Sequence, residues 1–278
     1  RPELFNLAAN KLKDVKEKPY TNIIVDEFQD FSNPELRFLR SLVNESRNDL
    51  FLTGDPYQRI YSTRKINFTK AGINVRGKRS RKLKVNYRTT EEIKRLAVSV
   101  VKGVCYDDLD GGEENNKGYI SIVHGDKPVY KLVANSNEEC ETILGFIEEC
   151  TNNGMRLNEI CIAATKKSLY RDILDAVHRK GLPYQEIKSG KAVGNKDGVM
   201  FCTFHSLKGL EFRAMALVGV TEASLPSKEA SLPNSEGMDV VERREALSQF
   251  RSLLYVAITR GRQAVLISGY GAKTNLLK

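Results

Sequence analysis

Residues 21–30 read TNIIVDEFQD, and the fold turns on how this stretch is read. Ile23, Ile24 and Val25 are consecutive β-branched residues, the pattern of a short, fully buried strand. Asp26, Glu27, Gln29 and Asp30 follow at once, three of them carboxylates. Open α/β sheets bind ligands in the crevice at the carboxyl ends of their strands. The strand therefore delivers two acids to a place suited to a phosphate and its metal. Asp26 can hold Mg2+ there, directly or through water, and Glu27 can take a proton from an attacking water. The plainer alternative is an acidic helix start, which the helix dipole favours. For an isolated Asp-Glu pair that alternative is the better reading, so the rest of the chain has to decide.

The same pattern recurs. Residues 50–53 form a second apolar run and end in Gly54-Asp55-Pro56-Tyr57-Gln58. Residues 83–85 predict a third strand running into Asn86-Tyr87-Arg88, and 199–203 another ending in Phe204-His205. Helical spacing appears over 1–19 (closed by Pro19), after Ser32-Asn33-Pro34-Glu35, and from Thr90 to about Val101. It returns over 137–150, 169–180 and 241–255. Further strands are expected at 119–123, 130–133, 160–164, 184–187, 215–219 and 264–268. A polar, Gly-rich loop is expected over 107–118, a turn-rich link over 188–198 and a loop over 222–239. Strands alternating with helices imply an α/β fold with a mostly parallel sheet. The boundary is expected near 89–95, dividing the chain into 1–90 and 91–278.

Composition limits the partners. The net charge is +9, and residues 64–88 carry ten Lys or Arg with no Asp or Glu. Such a run is either a solvated surface or a face for phosphates. No apolar run approaches the roughly 18 residues of a membrane span, so no membrane partner is expected. Five cysteines without a Cys-x-x-Cys pair suit a reducing compartment, which points to the cytoplasm.

Taken together, these motifs resemble those of the UvrD/Rep-type superfamily 1 DNA helicases, in that family's order and from about residue 20 to 270. DEFQD at 26–30 resembles the Walker B motif. The resemblance implies Asp26 on Mg2+, Glu27 as the base that activates water, and Gln29 as a link to the nucleotide or DNA state. GDPYQRIYS at 54–62 resembles motif III, with Gln58 sensing the γ-phosphate and Tyr61 near a single strand. NYRT at 86–89 resembles motif IV, with Tyr87 on the adenine and Arg88 at the γ-phosphate. TFHSLKGLEF at 203–212 resembles motif V, with Thr203, His205 and Lys208 toward nucleic acid, Gly209 near phosphate and Glu211 on the ribose. LLYVAITRGR at 253–262 resembles motif VI, with Arg260 as a second γ-phosphate arginine. The implied fold is RecA-like: part of a first motor domain and a complete second one. The implied cofactors are ATP and Mg2+, and the implied partners single-stranded and duplex DNA, with 3′→5′ travel. Hydrolysis would then depend on arginines and acids from different domains coming together.

The chain departs from the family in three places. No G-x-x-x-x-G-K-[ST] occurs, so the far half of the first motor domain is expected here, with weak or no ATP hydrolysis by this chain alone. Thr63 stands where the family usually has a base-stacking Trp. The regulatory insertion of larger relatives ahead of motif V is replaced by 188–198. Two other readings remain: a non-hydrolysing nucleic-acid-binding module, and a motor subunit of a helicase–nuclease complex. Glu27, Arg88, Glu211 and Arg260, useful only around a nucleotide, weigh against the first.

Overall fold

The computed structural model describes residues 2–46, 49–60, 66–102, 118–188, 191–233 and 236–277. The chain divides into two compact units, one containing Arg1–Leu83 and the other Lys84–Gly103 with Gly118–Lys278. The division falls ahead of Asn86-Tyr87-Arg88, because the strand carrying Asn86 pairs within the second unit. The loop expected over 107–118 lies, save for Gly118, outside the described residues. Among those residues no helix is long and apolar enough to cross a membrane.

In the first unit, α1 (Pro2–Lys13) stops well short of Pro19. Lys18 folds back so that its ammonium takes the carbonyls of Leu12 and Lys13. A cation at the open carbonyl end closes a helix favourably. β1 (Ile23–Val25) pairs in parallel with β2 (Leu50–Leu52). Full burial of β1 was expected, but only alternate residues are buried. Val25 is packed away, whereas Ile24 and its partner across the ladder, Phe51, are 78% and 62% exposed. The cause is the period of two along a strand. One face of the pair meets the core of Phe28, Leu36, Ile66, Phe68, Ala71 and Ile73, and the other does not. α2 (Asn33–Ser41) begins with a capping box in which Glu35 accepts from the backbone and hydroxyl of Ser32, both at 2.7 Å.

The second unit opens with β3 (Val85–Asn86), which pairs in parallel with β4 (Ile120–Ser121). Between them runs α3 (Glu91–Val101), capped by Thr90. Among the described residues the main sheet has seven strands: β5 (Val129–Val133), β6 (Ile160–Ala164), β7 (Tyr184–Lys188), β8 (Lys191–Gly194), β9 (Val199–Thr203), β10 (Phe212–Leu217) and β11 (Gly261–Tyr270). Their order is β5-β11-β10-β6-β9-β7-β8, and every pair is parallel except β7–β8. β8 replaces part of the turn-rich link expected over 188–198. Its residues carry little burial signal, and it forms by pairing back on β7 rather than by packing. α4 (Ser136–Asn152) and α5 (Arg171–Arg179) pack Ile143, Ile147, Ile173 and Val177 into a core with β6, β9 and β10. α6 (Val240–Thr259) leads directly into β11.

α3 is tied to β4 by Glu91. Its carboxylate meets Lys94 at 2.8 Å and Arg95 at 2.9 Å, and accepts the Ser121 backbone N–H at 2.8 Å. Burial alone would raise its pKa, but the bonds from Lys94, Ser121 and Arg95 outweigh that and bring it down to about 2. The folded value lies below the unfolded one, so this stabilisation is complete above about pH 4.5 and drains away as pH falls toward 2. Glu91→Gln should cost up to roughly 3 kcal/mol at neutral pH and little at pH 2. Urea melts of both proteins across that range check it.

Candidate functional site

The first unit gathers its polar residues where β1 and β2 end. Immediately after Asp26 the chain turns through Glu27, whose φ of 53° and ψ of 42° lie in the left-handed region. Among the described residues no other non-glycine has positive φ. A side chain held there costs on the order of 1–2 kcal/mol. The turn is fixed by the Glu27 N–H donating to Asp26 Oδ1 at 2.9 Å, and by Phe28 N–H donating to Thr53 O at 3.1 Å.

Gln29 is buried beneath this turn and joins the two motifs. Its Nε2 donates to Glu27 Oε2, and its Oε1 accepts Asp55 N–H at 3.2 Å. Asp55 then accepts Tyr57 N–H on one oxygen at 2.9 Å and Gln58 Nε2 on the other at 3.0 Å. A continuous line of hydrogen bonds thus runs Glu27–Gln29–Asp55–Gln58. One amide serves both ends, so the Glu27 carboxylate cannot swing without disturbing the loop that carries Gln58. Asp26 itself is exposed.

Gly54 makes the close approach possible. A Cβ there would stand 2.2 Å from Gln29 Oε1 and 2.8 Å from the Phe28 ring. Both neighbours are buried. Gly54→Ala should therefore cost about 1–3 kcal/mol and break the line at Gln29. Denaturant melts read the first effect, and ATP turnover by the intact protein reads the second.

In the second unit the Asn86 side chain shapes the loop after β3. Its Oδ1 accepts Arg88 N–H at 2.8 Å, and its Nδ2 donates to Thr89 Oγ1 at 2.6 Å. This turn presents Tyr87, 70% exposed, and Arg88 beside it. The two line a cleft of about 450 Å³ with Val85, Asn86, Glu211 and Arg262. Glu211 meets Arg88 Nε at 3.1 Å through one oxygen and Arg262 Nη1 at 3.4 Å through the other. An exposed aromatic ring next to two guanidinium groups suits a base joined to phosphates.

The other motif V residues run toward the opposite edge of the sheet. Thr203 closes β9 at its carboxyl end, while Glu211 and Arg262 flank the amino ends of the parallel strands β10 and β11. Residues 204–211 span from one edge to the other. Along them, Thr203 Oγ1 shares a hydrogen bond with Ser206 Oγ at 3.0 Å. Partial desolvation pushes the His205 imidazole below its ordinary pKa. Lys208 is half-buried. Gly209 has a φ of 79° in open space, a backbone state that only glycine enters freely.

Arg260 is not among the residues that line this cleft. It is 2% exposed, and its guanidinium donates to Leu210 O at 3.4 Å and Val256 O at 3.3 Å. The cleft is lined instead by Arg262, which the motif comparison passed over. The only sequence signal was a second arginine two places on, at the start of a strand. Tyr61 and Thr63 lie outside the described residues.

The family model for the UvrD/REP helicase N-terminal domain matches residues 3–72, and that for the UvrD-like helicase C-terminal domain matches 186–271. The chain belongs to the UvrD/Rep helicase family of superfamily 1. The first matched region holds DEFQD and GDPYQ and the second holds motifs V and VI, while Asn86-Tyr87-Arg88 lies between the two. Among similar curated proteins is the ATP-dependent DNA helicase srs2 of Schizosaccharomyces pombe, 30% identical over 61% of this chain and 19% of the relative. A probable DNA helicase of Mycoplasma pneumoniae is 26% identical over 88% of this chain and 42% of its own length. DNA helicase II of Escherichia coli is 25% identical over 60% and 22%. The chain thus spans less than half the length of each of these family members.

Proposed function

We propose that this chain is part of the motor of an ATP-dependent DNA helicase that travels 3′→5′ along a single strand. The observation that carries the reading is the line Glu27–Gln29–Asp55–Gln58, which ties a base to a polar side chain suited to a phosphate. In this reading Glu27 accepts the proton of the attacking water, and Gln58 senses the γ-phosphate. Gln29 makes the orientation of one depend on the other. The unit containing Arg1–Leu83 serves as the end of a first RecA-like domain, and the unit containing Lys84–Gly103 and Gly118–Lys278 as a second.

The acids present fit Mg2+. Among the described residues no three His, Cys, Asp or Glu gather as a metal cage. Mg2+ commonly takes one or two carboxylates and completes its shell with water and substrate phosphates. Asp26, exposed at a strand end, would be that carboxylate. Bound there, the ion would neutralise phosphate charge. Tyr87 would stack on the adenine, Glu211 would accept from the ribose, and Arg88 would reach the γ-phosphate. Arg260 would follow only after leaving its two carbonyls.

DNA would be met by Tyr61, Thr63, Thr203, His205 and Lys208. Arg76, Lys78, Arg79, Arg81, Lys82 and Lys84, all exposed, form a basic run with no acid among them. Reversing Arg79 and Arg81 to Glu should flatten the dependence of log K on log salt for single-strand binding by about two phosphate contacts. An unchanged slope in a salt titration would leave the run as solvated surface. The function itself is tested by strand separation of a duplex with a 3′ single-stranded tail. The intact protein should open it with Mg-ATP and not with a non-hydrolysable analogue. Opening without hydrolysis, or none, contradicts the reading.

A further inference from the structure

We propose that Arg262 is a positioning residue for the nucleotide cleft: it anchors Glu211, so that the cleft can release Arg88 to a phosphate and still read the sugar. The inference rests on the nucleotide reading above. The two arginines hold one carboxylate from different kinds of support. Arg262 follows Gly261, which pairs with Phe212, the neighbour of Glu211 across the β10–β11 ladder. The ladder is closed at this point by Phe212 N–H donating to Arg260 O at 2.9 Å. In this parallel register Arg260 stands opposite Glu211 and Arg262 two places on, beside a register shift in the ladder, so Arg262 reaches Glu211 diagonally from the neighbouring strand at 3.4 Å. Arg88 instead arrives on a loop fixed by one asparagine.

The difference lies in this support and not in contact length, since Arg88 stands closer to Glu211, at 3.1 Å against 3.4 Å for Arg262. Arg88 engages Glu211 through Nε, which leaves its terminal amino groups for an incoming anion. Both side chains are about half exposed, and an ion pair in that setting contributes only about 0–1 kcal/mol. A triphosphate carries several charges and draws Arg88 away at small cost. Glu211 then keeps its bond from Arg262, which holds the carboxylate where ribose hydroxyls can donate to it. Without Arg262 the departing Arg88 would leave Glu211 with neither arginine. The carboxylate would then either hold Arg88 back or turn to solvent, and in both cases the sugar would go unread.

The test compares ATP with inorganic tripolyphosphate, which has the phosphates and no sugar. Each competes with a fluorescent ATP analogue for the full chain in the presence of Mg2+. The readout is the ratio of the two affinities, in which general loss of positive charge cancels. Arg262→Met should reduce the ratio about fivefold or more, and Glu211→Gln should do the same. The double variant should fall no further than either alone, and Arg262→Lys should restore most of the ratio. A ratio in Arg262→Met within twofold of wild type overturns the inference, as does a double variant whose losses add. If wild type binds neither competitor, the nucleotide reading of the cleft fails first and takes this inference with it. If it binds both, only the role of Arg262 is being judged.

Discussion

Glu27→Gln should abolish ATP turnover in the intact protein, by about 100-fold or more, with ATP affinity held within about twofold. The substitution preserves size and keeps an oxygen for Gln29 Nε2, so the hydrogen-bonded line to Gln58 survives. What is lost is a group able to take a proton at neutral pH. Glu27→Asp separates chemistry from geometry. It retains a carboxylate but draws it back by one methylene, out of reach of Gln29. Its turnover should fall between wild type and Glu27→Gln. Steady-state kinetics with an independent binding measurement distinguish these outcomes. Near-normal turnover in Glu27→Gln would remove Glu27 as the base.

Arg88→Ala should lower turnover by about 1000-fold, the scale on which an arginine at a transferring phosphate acts. Stability should change by less than about 1 kcal/mol, because its partner contact is an exposed ion pair. Arg260→Ala should behave differently. Its guanidinium is buried against the carbonyls of Leu210 and Val256, so removal takes a donor from both, although Val256 O keeps the Thr259 hydroxyl, as well as any phosphate contact. Turnover and melting temperature should fall together. The paired measurement, kinetics beside a thermal melt for each variant, separates an arginine used in chemistry from one also used in folding. If Arg88→Ala keeps turnover within tenfold of wild type, Arg88 does not reach the phosphate.

How much of this was legible in the sequence follows from what is local. α3 was read with both ends right, since Thr90 is an N-cap and the apolar spacing of Ile93, Ala97, Val100 and Val101 is helical. The strands β6 and β9 were legible because continuous apolar runs mean burial on both faces, which is what a central parallel strand has. The same rule failed for β1. Its three β-branched residues look like a central strand, yet within its unit only one face is packed, and no residue of β1 encodes that. β8 was missed because pairing with β7, rather than apolar content, makes it a strand.

The site divides in the same way. Motif residues could be named by type and order: the acids at 26–27, the tyrosine and arginine at 87–88, the acid at 211. Their connections could not. Glu27 in the left-handed region, Gln29 serving two loops, and Arg262 meeting Glu211 across neighbouring strands all join residues distant in sequence or depend on backbone state. Arg260 shows the reverse, a motif residue whose burial was invisible in the sequence.

The most direct measurement is Mg2+-dependent ATP hydrolysis by the intact protein, with and without single-stranded DNA. Hydrolysis that rises severalfold on adding the strand, and vanishes in both Glu27→Gln and Arg88→Ala, is the predicted result. Hydrolysis indifferent to DNA, or surviving in either variant, would contradict the motor.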